Sequence, residues 1–308
     1  MSKKTDPRKK HDRGPGDSSR MKQRHSRKKR MPRFSSDLRR ISMDEDGRTA
    51  AADWPAQIDE LLKQVSASGV HIEAGADQRL LRFCQEVQRA ASLVNLVSKA
   101  DLPQLPAKHI APSLAVLRVK NPLPGEKWID VGTGGGFPGM AVKLSRPDVR
   151  MTLLDSSEKK VAFLKGVALV LGFPDLEIVR ARVESLGEAP FMPASIARAT
   201  DGEREDGEQA GDEQAGGTKA GFERKPLILE GRPVFDVILM RAVASLEKSL
   251  ELVEPISSSG TVLLTFKGPG WEDEIRAAEK NMRTYGWEFE GVFSVPWAQA
   301  RILRLLRT

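Results

Sequence analysis

The sequence has few of the residues that disulfide-rich and metal-binding proteins need: one cysteine, Cys84, and four histidines in 308 residues. One cysteine excludes an internal disulfide framework and a multi-cysteine zinc site. Two of the histidines lie in a basic N-terminal segment, so we expect no histidine-rich metal centre. No apolar run approaches the roughly 18 residues that span a bilayer, and no apolar stretch follows the basic N-terminus. These absences predict a cytoplasmic protein that holds no metal.

Charge of one sign is concentrated in two segments. The formal net charge is +7, yet residues 1–40 alone hold 16 Lys and Arg against 4 Asp and Glu. Residues 201–223 hold 8 acidic residues against 2 basic ones, which leaves the rest of the chain near neutral. The basic segment has too few apolar residues to offset its ordering entropy, so we expect residues 1–50 to form a disordered arm. Nucleic-acid phosphates are the partner that such an arm favours, and a solubilising extension is the alternative.

Hydrophobic periodicity divides the rest of the chain into two parts. Residues 51–124 show helical spacing, with Gly69 and Gly75 punctuating two predicted helices in a stretch that extends to Lys99. Residues 125–308 alternate short apolar strands with helices, which predicts an α/β fold with a parallel sheet and helices on its faces. A stretch rich in Gly, Ala and acidic residues interrupts this alternation, and we expect a disordered acidic insertion at about 190–232.

A glycine-rich loop follows the first predicted strand. It runs Asp130-Val-Gly-Thr-Gly-Gly-Gly-Phe-Pro-Gly139 and leads into a helix. Glycines at such a turn let the backbone approach a ligand closely, and the helix N-terminus favours an anionic group. The second strand ends on Asp155, where an acid can accept hydrogen bonds from both ribose hydroxyls of a nucleoside cofactor. The loop and the acid both fall at the crevice of a doubly wound sheet and together predict a cofactor site.

Two cofactor classes suit this crevice, a dinucleotide and S-adenosylmethionine. A dinucleotide presents a pyrophosphate, which the carboxylate of Asp130 would repel. S-adenosylmethionine carries an ammonium and a sulfonium group, which the same carboxylate would favour. The sequence therefore favours the methyl donor over a dinucleotide-dependent oxidoreductase. A third hypothesis is a non-catalytic RNA-binding or ribosome-assembly protein on a methyltransferase fold.

The glycine loop, together with Met151-Thr-Leu-Leu-Asp-Ser156, resembles the bacterial 16S ribosomal RNA guanine-N7 methyltransferases, the glucose-inhibited division protein B family. The other agreeing stretches are Asn95-Leu96, Lys108-His-Ile110 with Ser113, Ala181-Arg-Val-Glu184, Met240-Arg-Ala-Val-Ala-Ser-Leu246 and Phe266-Lys-Gly268. The resemblance covers about Ile58 to Leu306. It implies a class I S-adenosylmethionine-dependent methyltransferase fold, with a mostly parallel seven-stranded sheet and a small helical N-terminal part.

The resemblance also implies roles for individual residues at the cofactor. Gly132 and Phe137 would line the methionine end, Asp155 would bind the ribose, and Glu184 would lie near the exocyclic amine of adenine. The full set that it assigns to S-adenosylmethionine is Gly132, Gly134, Phe137, Asp155, Val183, Glu184 and Arg241.

The resemblance implies that the substrate is 16S ribosomal RNA in the small ribosomal subunit. Nothing in the sequence demands an oligomer, so we expect a monomer. Arg241 and Lys267 would position the guanine through O6 or a phosphate. The candidate RNA contacts are Asn95, His109 and Arg182. The alternatives are a salt bridge to a strand-end acid for Arg241, a solvated lysine for Lys267 and a structural histidine for His109.

The sequence departs from the family pattern at a few positions in the helical part. Ala90 and Ala91 stand where the family usually has Trp-Asn, Val97 stands for Thr, and Pro112 stands for Asp.

The implied reaction needs little chemistry from side chains. Guanine N7 carries an exposed lone pair and can attack the sulfonium methyl group in line, and no proton must leave N7 first. We therefore expect catalysis by positioning and charge complementarity, without a general base.

Overall fold

The computed structural model describes residues 53–174, 176–187, 228–229 and 232–308. The predicted basic arm lies outside the described residues, and so does most of the predicted acidic insertion. Within the described ranges, no helix has the length and hydropathy needed to cross a membrane.

Two amphipathic helices begin the described chain, α1 (Trp54–Ala67) and α2 (Ala76–Ala90). Each buries a stripe of apolar side chains, such as Ile58, Leu61 and Val65 on α1. The helical pattern does not continue to Lys99 as the sequence predicts, because α2 ends at Ala90 and turns follow. In those turns Ser98 Oγ accepts a hydrogen bond from the Asp101 amide at 3.1 Å, a local bond that competes with helix formation.

The proline-containing stretch that follows is more helical than its sequence suggests. A short 3₁₀ turn (Leu102–Gln104) leads into a π-helical turn (Pro106–Ile110) and then into α3 (Ala111–Val119). The prolines occupy first-turn positions, where a missing N–H is tolerated. Apolar side chains cover α3 on nearly all sides, so tertiary burial holds this helix in place.

The main sheet has seven strands in the described residues. They are β1 (Lys127–Val131), β2 (Arg150–Asp155), β3 (Glu177–Arg180), β6 (Val237–Arg241), β7 (Val262–Lys267), β8 (Trp287–Val295) and β9 (Ala298–Arg307). The order across the sheet is β3-β2-β1-β6-β7-β9-β8, in which β9 is antiparallel to both of its neighbours, β7 and β8, and all other neighbouring strands are parallel. The short strands β4 (Ile228–Leu229) and β5 (Arg232–Pro233) form a separate antiparallel pair.

Helices cover both faces of the sheet, which confirms the predicted doubly wound α/β class. The remaining helices are α4 (Gly139–Ser145), α5 (Glu158–Val170), α6 (Leu246–Val253) and α7 (Trp271–Tyr285). Successive side chains of β1 enter different cores: Trp128 packs with α1–α5, and Ile129 packs with α6 and α7. The helical N-terminal part therefore shares its core with one face of the sheet.

Candidate cofactor and substrate site

The glycine loop lies at the carboxyl edge of the sheet, between β1 and α4, and two other segments lie directly against it. Gly132 has φ +71°, and a Cβ there would come within 2.8 Å of Val243 Cγ2, in the loop after β6. A Cβ on Gly135 would come within 2.9 Å of the Leu96 carbonyl oxygen, in the turns after α2. Glycine is required at both positions because the neighbouring chain approaches too closely for a side chain.

Asp130, on β1, lies buried beneath the glycine loop and is hydrogen-bonded to it. Its carboxylate is fully buried, and Oδ2 accepts bonds from Thr133 Oγ1 at 2.6 Å and from the Gly139 amide at 2.8 Å. Burial raises the pKa of Asp130 to about 6, although these two bonds and the charge of Arg241 oppose that rise. The sequence predicts that this carboxylate favours the cationic groups of the cofactor, whereas in the structure its hydrogen bonds go to the loop itself. Oδ1 has no partner among the described residues.

Asp155, at the end of β2, lies beside the same loop. Its Oδ2 accepts a bond from the Gly134 amide at 2.9 Å, and its Oδ1 accepts one from the Ser157 amide at 2.8 Å. Lys160 Nζ lies 3.8 Å from Oδ2. Each carboxylate oxygen has a further acceptor direction, so ribose hydroxyls can bind without displacing the loop. The structure thus brings the predicted ribose ligand and the glycine loop together.

The predicted adenine residues follow β3, the strand next to β2. A 3₁₀ turn (Val183–Gly187) buries Val183 in the core that contains α6 and leaves Glu184 exposed. Arg182 is exposed as well, and its carbonyl accepts bonds from the Ser185 amide and hydroxyl. These residues lie at the same edge of the sheet as Asp155, because β2 and β3 are parallel neighbours.

Phe137 is packed among protein rings. Its ring centroid lies 5.2 Å from that of Phe83 and 5.0 Å from that of His109, and only 6% of the residue is exposed. His109 Nε2 lies 3.4 Å from Asp101 Oδ2. Burial, and then the nearby Arg241, lower the pKa of His109, which favours the neutral imidazole. These contacts agree with the structural alternative for His109, whereas Asn95 is exposed in the turns that cover the loop.

Arg241 ends β6 and reaches across to the helical part. Its Nη2 donates to the Lys108 carbonyl at 3.1 Å, and its guanidinium carbon lies 5.5 Å from the centre of the Phe266 ring. Pro112 has no N–H to offer this carbonyl four residues earlier, which leaves the carbonyl available to Arg241. No described carboxylate lies within ion-pair distance of Arg241, so the predicted alternative of a salt bridge is not seen.

The guanidinium of Arg241 also has a donor to spare. Nη1 is buried and has no hydrogen-bond partner among the described residues. Burial lowers the pKa of Arg241, while the more distant carboxylates of Asp130 and Asp101 oppose that change. An acceptor from a ligand would satisfy this unpaired donor.

Lys267, at the end of β7, is engaged within the protein. Its Nζ donates to the Ala244 carbonyl at 2.8 Å and pairs with Glu274 at 2.7 Å, and 5% of its side chain is exposed. Glu274 also accepts the Leu246 amide at 2.8 Å, at the start of α6. Lys267 is therefore not a solvated lysine, and its ammonium fixes the loop after β6.

A cleft of about 790 Å³ opens beside these residues at the carboxyl edge. Arg241, Phe266 and Lys267 line it on one side, and the β8–β9 hairpin lines it on the other. The hairpin contributes Ser294, Gln299 and Arg301, three residues that the sequence analysis does not single out. The alternation of polar Gln299 and Arg301 with apolar residues is the signal that the sequence offers, but only the closed sheet places them in the cleft. No group of side chains in the described ranges could hold a metal ion.

The sheet order, the glycine loop after β1 and the acid that ends β2 together define a class I S-adenosylmethionine-dependent methyltransferase fold. Residues 76–203 match the model of the GidB family, described as rRNA small subunit methyltransferase G. Over these residues the chain is similar to that family.

The relatives that match the chain carry the same family name, at modest identity. Ribosomal RNA small subunit methyltransferase G of Moorella thermoacetica is 29% identical over 63% of this chain and 64% of its own length. The protein of that name from Roseiflexus castenholzii is 27% identical over 80% of this chain and 89% of its own. The protein of that name from Pseudomonas aeruginosa is 28% identical over 81% of this chain and 94% of its own.

Two solved structures are also similar. Ribosomal protein L11 methylase from Lactobacillus delbrueckii subsp. bulgaricus has a TM-score of 0.40 at 13% identity, over 64% of this chain and 78% of that one. An RNA methyltransferase from Salinibacter ruber, in complex with S-adenosyl-L-homocysteine, has a TM-score of 0.37 at 12% identity, over 63% of this chain and 89% of that one. The fold assignment stands on the sheet topology of the chain itself.

Proposed function

We propose that the protein transfers the methyl group of S-adenosylmethionine to N7 of a guanine in the 16S ribosomal RNA of the small subunit. The observation that carries the proposal is the meeting of three features at one edge of the sheet. They are the Gly134–Asp155 contact, the unpaired Nη1 of Arg241 and the open cleft beside them. The names of the family and of the relatives support ribosomal RNA as the substrate class.

The residues present fit the cofactor. Asp155 offers carboxylate oxygens for the ribose, and the loop around Gly132 and Gly134 offers backbone without side chains for the methionine end. Val183 would contact the adenine and Glu184 its amine. When bound there, S-adenosylmethionine supplies the electrophilic methyl group. Phe137 supports the loop from within, because its ring is held between Phe83 and His109.

Arg241 is the residue to which we assign substrate positioning. Its guanidinium is oriented by the Lys108 carbonyl and the Phe266 ring and borders the cleft. Nη1 is buried without a partner among the described residues, and a turn of the guanidinium toward the cleft would let it donate to guanine O6 or to a phosphate oxygen. A base held in this way keeps the lone pair of N7 in a fixed direction. Since no proton must leave N7 before attack, the site needs no base within bonding distance.

Lys267 contributes indirectly in this proposal. Its bonds to Ala244 and Glu274 keep the loop after β6 against the glycine loop, so it acts as a positioning residue and not as a ligand of guanine. Asn95 and Arg182, both exposed near this edge, are the remaining candidates for contact with RNA, and a monomer with a separate basic arm stays a prediction.

The test is methyl transfer to unmodified small ribosomal subunits. Purified protein is incubated with labelled S-adenosylmethionine, and the RNA is digested so that the labelled nucleoside can be identified by mass spectrometry. We expect 7-methylguanosine at one site, with loss of label in Arg241→Ala and no loss in Arg118→Ala. Arg118 is an exposed arginine on α3 outside the cleft lining. Bound cofactor without label in any nucleoside would exclude this activity and favour the ribosome-assembly role.

A further inference from the structure

We infer that the β8–β9 hairpin is a phosphate-binding wall of the cleft, with Arg301 as the residue that holds the RNA strand next to the target guanine. The inference deepens the proposed function and rests on it for the identity of the polymer. It starts from the charges that line the cleft: the cations are Arg241, Lys267 and Arg301, and the acid is Glu274.

The ion pair between Lys267 and Glu274, at 2.7 Å, cancels one cation against the acid. Arg241 and Arg301 then remain as an excess of positive charge, since neither forms an ion pair within the described residues. The two differ in access, because Arg241 is half-buried whereas Arg301 is exposed. An exposed arginine in a cleft, without a carboxylate partner, suits a phosphate, which the guanidinium can bind through two parallel N–H donors.

Register fixes the direction in which Arg301 points. It is the direct partner of Lys267 across the antiparallel β7–β9 pair, so the two side chains stand on the same face of the sheet. Gln299 lies two residues earlier on β9 and shares that face. Both residues are exposed and border the cleft, which gives the hairpin a polar strip with amide and guanidinium donors.

The spacing suits neighbouring nucleotides. Arg241 ends β6 and Arg301 lies on β9, and only β7 separates these strands. Two strand spacings place their backbones about 10 Å apart. Register places Arg241, the partner of Phe266, on the opposite face of the sheet from Arg301, and both side chains border the cleft because it opens at the ends of these strands. A base at Arg241 therefore leaves the backbone of an adjoining nucleotide within reach of the long side chain of Arg301 across the open end of the sheet.

The experiment measures RNA binding and methyl transfer for Arg301→Ala, with Arg118→Ala as the matched control. Arg118 is also an exposed arginine without an ion pair in the described chain, but it lies outside the cleft. For Arg301→Ala we expect about tenfold weaker RNA binding and a salt dependence of log K that is shallower by about 0.7, the value for one phosphate of a single strand. The KM for RNA should rise in parallel while kcat and cofactor affinity stay within about twofold. Arg301→Lys should keep the steeper salt dependence.

The outcomes separate this inference from the proposed function. The inference that Arg301 binds phosphate is overturned if the salt dependence of RNA binding is unchanged in Arg301→Ala. It is also overturned if Arg118→Ala changes that salt dependence equally, and both conclusions hold even when the wild-type protein methylates RNA. A fall in kcat at unchanged KM also overturns it, because it would place Arg301 at the reacting base. If the wild-type protein methylates no RNA, the proposed function fails, and the salt dependence of binding still decides whether Arg301 contacts phosphate.

Discussion

Replacing Gly132 by alanine tests whether the loop after β6 lies on the glycine loop. Two costs follow from the structure. An L-residue at φ +71° costs about 1–2 kcal/mol. The new Cβ would also lie 2.8 Å from Val243 Cγ2, and overpacking of this kind costs about 1–3 kcal/mol. We therefore expect Gly132→Ala to lower the free energy of unfolding by about 2–5 kcal/mol and to weaken S-adenosylmethionine binding.

Two further variants separate the two costs. Gly69 also has a positive φ, +86°, but a Cβ there would meet nothing within 4 Å, so Gly69→Ala should show only the backbone cost of about 1–2 kcal/mol. Val243→Ala removes the clashing methyl groups, so Gly132→Ala in that background should cost no more than Gly69→Ala. Urea unfolding of the four single and double variants gives these differences directly. Strictly additive effects of Gly132→Ala and Val243→Ala would refute the contact between the two loops.

Three predictions concern the site itself. Arg241→Ala should lower kcat/KM for methyl transfer about 100-fold while cofactor affinity changes by less than about threefold, and Arg241→Lys should not restore it, because an ammonium lacks the planar fork. Calorimetry on Asp155→Ala should show at least about tenfold weaker S-adenosylmethionine binding at unchanged RNA affinity; the opposite pattern would remove Asp155 from the cofactor site. The pKa of Asp130 is raised to about 6, so stability that is present below about pH 4 should be lost as the pH rises through 6, by about 3 kcal/mol. Urea titrations between pH 4 and 7 should show this slope in the wild-type protein and not in Asp130→Asn.

The hydrogen-bonded loop shows which part of the reasoning about Asp130 depends on the tertiary structure. From the sequence, Asp130 is expected to favour the positive charges of the methyl donor, since a carboxylate beside a ligand loop has a direct electrostatic effect. In the structure Thr133 and Gly139 take one of its oxygens, and the carboxylate is buried beneath the loop. Such a bond depends on the path of the loop, which the order of residues alone does not define.

The helical part shows a second limit. Prolines at positions 106 and 112 conceal a nearly continuous helical segment from Pro106 to Val119, because proline is normally read as a break. Tertiary burial overrides that preference, and one carbonyl freed in this segment, that of Lys108, accepts a bond from Arg241, 133 residues away. The role of Pro112 at the site follows only from this distant contact.

By itself, the sequence determined the alternation of strands and helices, the glycine loop and the acid at the end of β2. These features depend on periodicity and on local backbone chemistry, which neighbouring residues set. Only the tertiary structure decided which cations remain free for a substrate. Lys267 is neutralised by Glu274, whereas Arg301 is brought to the cleft by pairing between β7 and β9. Charge pairing and cleft formation join residues far apart in the chain, so they become visible only when the sheet has closed.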